Sequence, residues 1–251
     1  MTRSLRGKRV LVVGASSGIG RAFAIQAGKE GAQVVLVARR KEKLDDAIAE
    51  AGTGTPVAAD IADPAGAAAV AEAARTTLGE VDLLFCSVGV APLKMFADTD
   101  SDDWESVMRT NVVGVHQLIR HALPVLAEGA IVGALSSESV GQQRAALGAY
   151  AASKAALMSS FDAWRTEHPG LRFCTIAVGS TIPTEFADAF DPELLGSVLE
   201  DWIWRGLVQE TLMTPDAVAD AIAGMLAGII DHPDVGLDHA VIKPPSAPRR
   251  M

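Results

Sequence analysis

The sequence predicts an α/β fold: a doubly wound parallel sheet of about seven strands, with helices on both faces, in one domain. Three observations carry that expectation. Short apolar, β-rich runs alternate with helical runs along the whole chain. The strand runs are continuously apolar, as in strands buried on both faces. No linker, low-complexity tract or internal repeat divides the 251 residues.

The first strand, 9–13, runs into Gly14-Ala15-Ser16-Ser17-Gly18-Ile19-Gly20, which opens a helix over 18–29. Gly31 follows Lys29-Glu30, as expected where a helix closes in the left-handed conformation. Strand 33–38, helix 41–50, strand 56–59, helix 64–78 and strand 82–86 come next. A long helical run over 101–126 leads to strand 130–135, and helix 150–167 leads to strand 171–178. Thr214-Pro215-Asp216 reads as an N-cap with proline at the first helical position, opening helix 215–230 before a last strand at 240–242. Segment 180–213 breaks the alternation. At the carboxyl end of the sixth strand an insertion is placed to cover a ligand, and it equally reads as a helical subdomain packing on the core or on another subunit. The tail, 246–251, reads as disordered.

Composition excludes several classes. Hydrophobic residues at 49% and charged ones at 21% describe a soluble globular protein with a sizeable core. A formal charge of −9 excludes the basic face a nucleic acid would need. Cys86 and Cys174 are too few and too far apart for a disulfide scaffold or a zinc site, and no metal is expected. Buried reduced thiols suit a cytoplasmic location. Val10-Leu11-Val12-Val13 is too short for a signal peptide and 221–230 too short to span a bilayer, so no membrane partner is expected.

The glycine turn lies between a strand and a helix, the context that dinucleotide binding requires. Gly14, Gly18 and Gly20 let the backbone turn sharply and approach a pyrophosphate, with Ser16, Ser17 and Ile19 contributing to the same turn. The helix N-terminus adds free amides and a partial positive charge. The second strand ends Val37-Ala38-Arg39-Arg40, with no carboxylate where an NAD site usually places one. Arginine suits a 2′-phosphate, so NADP(H) is preferred, with NAD(H) as the alternative. A plainer reading has Arg39 and Arg40 begin a solvated helix with Lys41 and Lys43.

Tyr150 and Lys154 lie one helical turn apart and so share a face. An ammonium near a phenol lowers its pKa from the ordinary value of about 10 and equips it for proton exchange with an alcohol or ketone. Ser137 stands thirteen residues before Tyr150.

With Asp60 after the third strand and Asn111 in a long helix, these motifs resemble the short-chain dehydrogenases/reductases, the branch with a single Rossmann domain. The resemblance covers nearly the whole chain and implies an oxidoreductase acting on CH–OH groups, with a small ketone or alcohol substrate; Phe186, Phe190, Trp202 and Trp204 in the 180–213 insertion point to an apolar or cyclic one, and serve core packing equally well. It implies that Tyr150 is the general acid or base, Lys154 holds the nicotinamide ribose and lowers the tyrosine pKa, Ser137 binds the substrate oxygen, and Asn111 supports a relaying water. Asp60 and Ile61 would contact the adenine. A homodimer or homotetramer is implied as well. The alternative function is an NADP(H)-binding sensor without turnover.

Three departures from the pattern stand out. Cys86-Ser87-Val88-Gly89 replaces the usual Asn-Asn-Ala-Gly, with Gly89 still expected to let the backbone approach the cofactor. Val178-Gly179 replaces Pro-Gly, so the threonine for the nicotinamide becomes Thr181 or Thr184. His239-Ala240-Val241-Ile242-Lys243 replaces the common ending that packs between subunits.

Overall fold

The computed structural model describes residues 4–209 and 211–245; the tail expected at 246–251 lies outside them. Seven strands, β1 (Arg9–Val13), β2 (Gln33–Ala38), β3 (Thr55–Ala58), β4 (Val81–Cys86), β5 (Leu126–Ser137), β6 (Arg172–Val178) and β7 (His239–Ile242), form one sheet in the order β3-β2-β1-β4-β5-β6-β7. Every neighbouring pair is parallel. Parallel strands need crossovers, and helices supply them: α1 (Gly18–Glu30), α2 (Lys41–Ala51), α3 (Pro64–Leu78), α4 (Ser101–Met108), α5 (Val115–Ala122), α6 (Gly148–Glu167), α7 (Pro192–Trp204) and α8 (Pro215–Ile229).

The strand period of two divides the core into two layers. Val10, Val12, Leu36, Leu83, Phe85 and Ile176 face α1 and α8, meeting Phe23, Ile222 and Leu226. Leu11, Val13, Val35, Val37, Leu84 and Val132 face the other side, meeting Val70, Leu118, Leu157 and Phe161. Both faces are therefore dry, which is why the strands read as unbroken apolar runs. The order reverses between β1 and β4, the switch point where a crevice opens beyond the strand ends.

Helix punctuation follows the sequence closely. Gly31 caps α1 in the left-handed region at φ 93°. Thr214 Oγ1 accepts from Ala217 N at 3.2 Å at the start of α8. Both cysteines are buried and free.

The run 101–126 is where the sequence reading departs from the structure. Instead of one helix it forms α4, a wider turn over Arg109–Gly114, α5, and a single tight turn over Leu123–Val125. Asn111 is turned fully inward within the wide turn, and its side chain bonds three groups off the helix. Pro124 then prevents the helix from continuing. As a result β5 begins at Leu126 rather than 130, and its register against β4 shifts between Val81 and Leu83.

The insertion at 180–213 is held at its base like a pair of strands. Ile182 N donates to Met213 O at 2.9 Å and Met213 N donates to Ser180 O at 3.1 Å. Above that base, Asp191 caps α7 by accepting from Leu194 N at 2.8 Å. Phe190, Val198 and Trp202 bury against Leu93, Leu147 and Tyr150, which carries the insertion over the carboxyl end of the sheet.

Candidate functional site

The glycine turn leaves β1 with Gly14 at φ +91°, and Gly18 sits at +55°. These are conformations that only glycine adopts without strain. Gly20 is required by space, since a Cβ there would lie 2.3 Å from Gly14 O and 2.8 Å from Ser87 Cβ. Ser17 makes no side-chain cap on α1 and no acid occupies the first turn. The first amides of α1 are thus left for a ligand, the arrangement that binds phosphate. A cleft runs between Ser16, Ser17 and Gly18 on one side and Pro183, Thr184 and Glu185 on the other. Glycines that no Cβ could replace, uncapped amides and a facing cleft fit the diphosphate of a dinucleotide.

Beside this turn the two arginines part company. Arg39 is exposed and reaches only to 3.9 Å from Asp60. Arg40 turns inward, its Nη2 donating to Ser16 Oγ at 3.0 Å and to Glu185 Oε2 at 2.6 Å. Asp60 braces its own loop by accepting from Ala62 N at 2.9 Å, and Ile61 is buried beneath it.

Tyr150 and Lys154 project from one face of α6, with Lys154 Nζ 5.9 Å from the centre of the phenol ring. The ammonium donates to Leu135 O at 2.9 Å and Val88 O at 3.2 Å. Gly89 makes room for it, because a Cβ there would stand 3.1 Å from Nζ. That is a second reason for glycine at this position, beside the backbone approach expected from the sequence. Asn111 Oδ1 accepts from Val90 N at 2.8 Å, and its Nδ2 donates to Val90 O and to Ser153 Oγ, both at 2.9 Å. Ser153 Oγ in turn donates to Tyr150 O at 2.7 Å. Asn111 therefore ties the turn after β4 to α6, between the two residues whose geometry matters most.

The electrostatics correct one expectation. Burial raises the Tyr150 phenol above its ordinary pKa, opposed by the Ser137 hydroxyl and by the charge of Arg144. The Lys154 ammonium, 5.9 Å from the ring centre, does not offset that burial. Burial brings Lys154 itself down to about 8 from 10.5. Its folded pKa is depressed, so the stability it contributes is present above the unfolded value and lost as pH falls through the folded one. Between those values the folded chain binds one proton fewer, and stability should rise with pH by up to about 1.4 kcal/mol per unit. Urea midpoints across that window should show the rise in the wild type and lose it in Lys154→Met; equal slopes would contradict it.

Ser137 ends β5, its hydroxyl 3.1 Å from Ser139 Oγ and accepting from Ser139 N. Beyond it lies a feature that sequence reasoning missed. Glu138 and Arg144 pair at 3.1 Å with side chains only 5% and 9% exposed. Among the described residues, the buried side-chain polar atoms without a partner are Ser136 Oγ, Glu138 Oε1, Gln142 Oε1, Arg144 Nε and Gln209 Oε1. Glu138 and Arg144 are thus each only half used, beside the phenol. The available signal was two opposite charges inside the stretch from Ser137 to Tyr150.

The two threonines differ in place. Thr181 Oγ1 donates to Gly179 O at 3.1 Å, whereas Thr184 lies over the glycine turn, its methyl 3.6 Å from where a Gly18 Cβ would be. Phe186 covers Tyr150 with ring centres 5.1 Å apart. His116 packs its ring 5.1 Å from Trp164, away from this chemistry.

The short chain dehydrogenase family model matches residues 8–193. An uncharacterized oxidoreductase of Listeria monocytogenes is 28% identical over 98% of this chain and 99% of its own length. A short chain dehydrogenase from Burkholderia cenocepacia, solved in complex with NADP, superposes with a TM-score of 0.81 at 24% identity, over 96% of this chain and 98% of that one. A 3-ketoacyl-(acyl-carrier-protein) reductase from Brucella melitensis, solved with NADH, gives 0.80 at 25% identity over 96% and 98%.

Proposed function

This chain belongs to the short chain dehydrogenase family of oxidoreductases, and on that premise we propose that it moves a hydride between NADP(H) and a ketone or secondary alcohol, with Tyr150 as the general acid or base. The observation that carries this reading is the meeting of Tyr150, Ser137 and Lys154 at the carboxyl end of the sheet, beside a glycine turn shaped for a dinucleotide.

When bound, the nicotinamide supplies or takes up the hydride, and the protein manages orientation and the proton. Tyr150 Oη gives its proton to the carbonyl oxygen in reduction and takes it back in oxidation. A phenol whose pKa burial has raised is neutral near pH 7, the state that reduction needs. Ser137 Oγ donates to the same oxygen and stabilises charge developing there. Lys154, fixed by two carbonyls, holds a proton near the phenol and would hold the nicotinamide ribose. Asn111 and Ser153 act as positioning residues by fixing α6 against Val90.

Arg40, joined to Ser16 at the glycine turn, favours a 2′-phosphate through its planar donors. Residues 14–20 would hold the diphosphate, with Thr184 over Gly18; Arg39, Asp60 and Ile61 would hold the adenosine, and Thr181 would be the threonine for the nicotinamide. Around Tyr150 pack the apolar side chains of Leu93, Phe190 and Trp202, and the polar pair Glu138 and Arg144 lies nearby. That combination favours an apolar ketone carrying one polar substituent.

Tryptophan fluorescence titrations should give NADPH a Kd at least about tenfold below that of NADH, roughly 1.4 kcal/mol, followed by turnover on a panel of ketones. NADH binding as tight as NADPH would overturn the cofactor preference. Binding without turnover across the panel would favour a sensor.

A further inference from the structure

Three consecutive residues after β6 rest on three successive parts of the cleft. Thr184 lies over Gly18 of the glycine turn, Glu185 reaches Arg40 and Lys43, and Phe186 covers Tyr150. The middle contact is the informative one. The Glu185 carboxylate bridges two cations from the opposite wall, with Oε2 2.6 Å from Arg40 Nη2 and Oε1 on Lys43 Nζ. The same Arg40 nitrogen donates to Ser16 Oγ at 3.0 Å, so one donor is shared by the glycine turn and the segment that covers it.

Building on the NADP(H) reading above, we infer that Glu185 is a cofactor-selectivity residue: it competes with the 2′-phosphate for Arg40 and Lys43 and so narrows the preference for NADP(H) over NAD(H). A carboxylate and a phosphate are both anionic acceptors and call on the same donors. They are like charges, and a phosphate seated between Arg40 and Ser16 would be repelled by Glu185. A ribose hydroxyl behaves oppositely, because it can donate to the carboxylate. The covering segment thus supplies the acid that the end of β2 lacks. Glu185 also explains how the segment is held. When a 2′-phosphate takes Arg40 and Lys43, the covering segment loses this tie, while a cofactor without that phosphate leaves the tie in place.

The test is calorimetric titration of wild type and Glu185→Gln with NADPH, NADH, adenosine 2′,5′-bisphosphate and adenosine 5′-monophosphate. The isosteric glutamine keeps the shape of the cover and removes its charge. Expected is a tightening of about tenfold, roughly 1.4 kcal/mol, for the two ligands bearing a 2′-phosphate, and no tightening but a small loss for the other two, whose ribose hydroxyl gives up a carboxylate acceptor. In an Arg40→Gln background the effect of Glu185→Gln should largely disappear, since the shared donor is gone. Equal tightening for all four ligands would mean that Glu185 acts only as a lid and would overturn the inference. So would no change, or weaker NADPH binding, which would make Glu185 a clamp. Wild type that binds neither dinucleotide would remove the cofactor reading itself, a result distinct from selective binding that Glu185→Gln leaves untouched.

Discussion

Tyr150→Phe should lower turnover by about 10²- to 10⁴-fold, the range expected when a positioned acid–base group is lost. It should leave dinucleotide affinity nearly unchanged. Tyr150 is 9% exposed and packs with Leu93, Leu147, Phe190 and Trp202. Phenylalanine keeps every one of those contacts and deletes only the hydroxyl. The loss should therefore appear in kcat, with KM and the thermal midpoint close to wild type. Turnover within a factor of about ten of wild type, less than acid–base help usually provides, would show that the proton travels by another route.

Arg144→Met should destabilise the fold by about 3–5 kcal/mol, the usual consequence of removing one partner from a buried ion pair. Three interactions end together. The guanidinium leaves Glu138 at 3.1 Å, the Leu207 carbonyl at 2.8 Å and the face of Trp202 at 5.9 Å. The largest penalty is the carboxylate of Glu138 left buried without its cation. Adding Glu138→Leu should recover most of the loss, because a buried pair replaced by apolar groups is often tolerated. Urea unfolding of the two single variants and the double variant measures this. A cost below about 1 kcal/mol for Arg144→Met, the range of exposed pairs, would mean that the pair is solvated. Arg144 also draws the Tyr150 pKa down, so its removal should move the basic limb of the rate profile to higher pH.

Much of the fold and part of the site could be read from residues alone, for physical reasons. The strands of a parallel sheet are dry on both faces, so Val10–Val13 and Val34–Val37 announce themselves as apolar runs. Gly31 and Thr214 mark helix ends through conformations and hydrogen bonds that few other residues supply. The break in 101–126 was hidden, because the wide turn is held by Asn111 bonding to Val90 and Ser153, residues distant in sequence. Pro124 was a readable stop signal that the apolar periodicity around it obscured. At the site, Tyr150, Lys154 and Ser137 fall together as their spacing suggested. The pKa argument attached to them did not hold, since burial depends on the tertiary surroundings and outweighs a lysine 5.9 Å from the ring. Arg39 and Arg40 looked equivalent in sequence. Only the position of Ser16 and Glu185 shows that Arg40 faces the cleft while Arg39 faces solvent.

The most direct test of the central claim follows the label from NADPH carrying deuterium at the transferable C4 position. Incubated with wild-type protein and a ketone from the panel, it should yield an alcohol with one deuterium at the carbinol carbon, and Tyr150→Phe should yield almost none. NADPH consumed with no deuterium in the alcohol, or equal labelling by Tyr150→Phe, would contradict hydride transfer assisted by Tyr150.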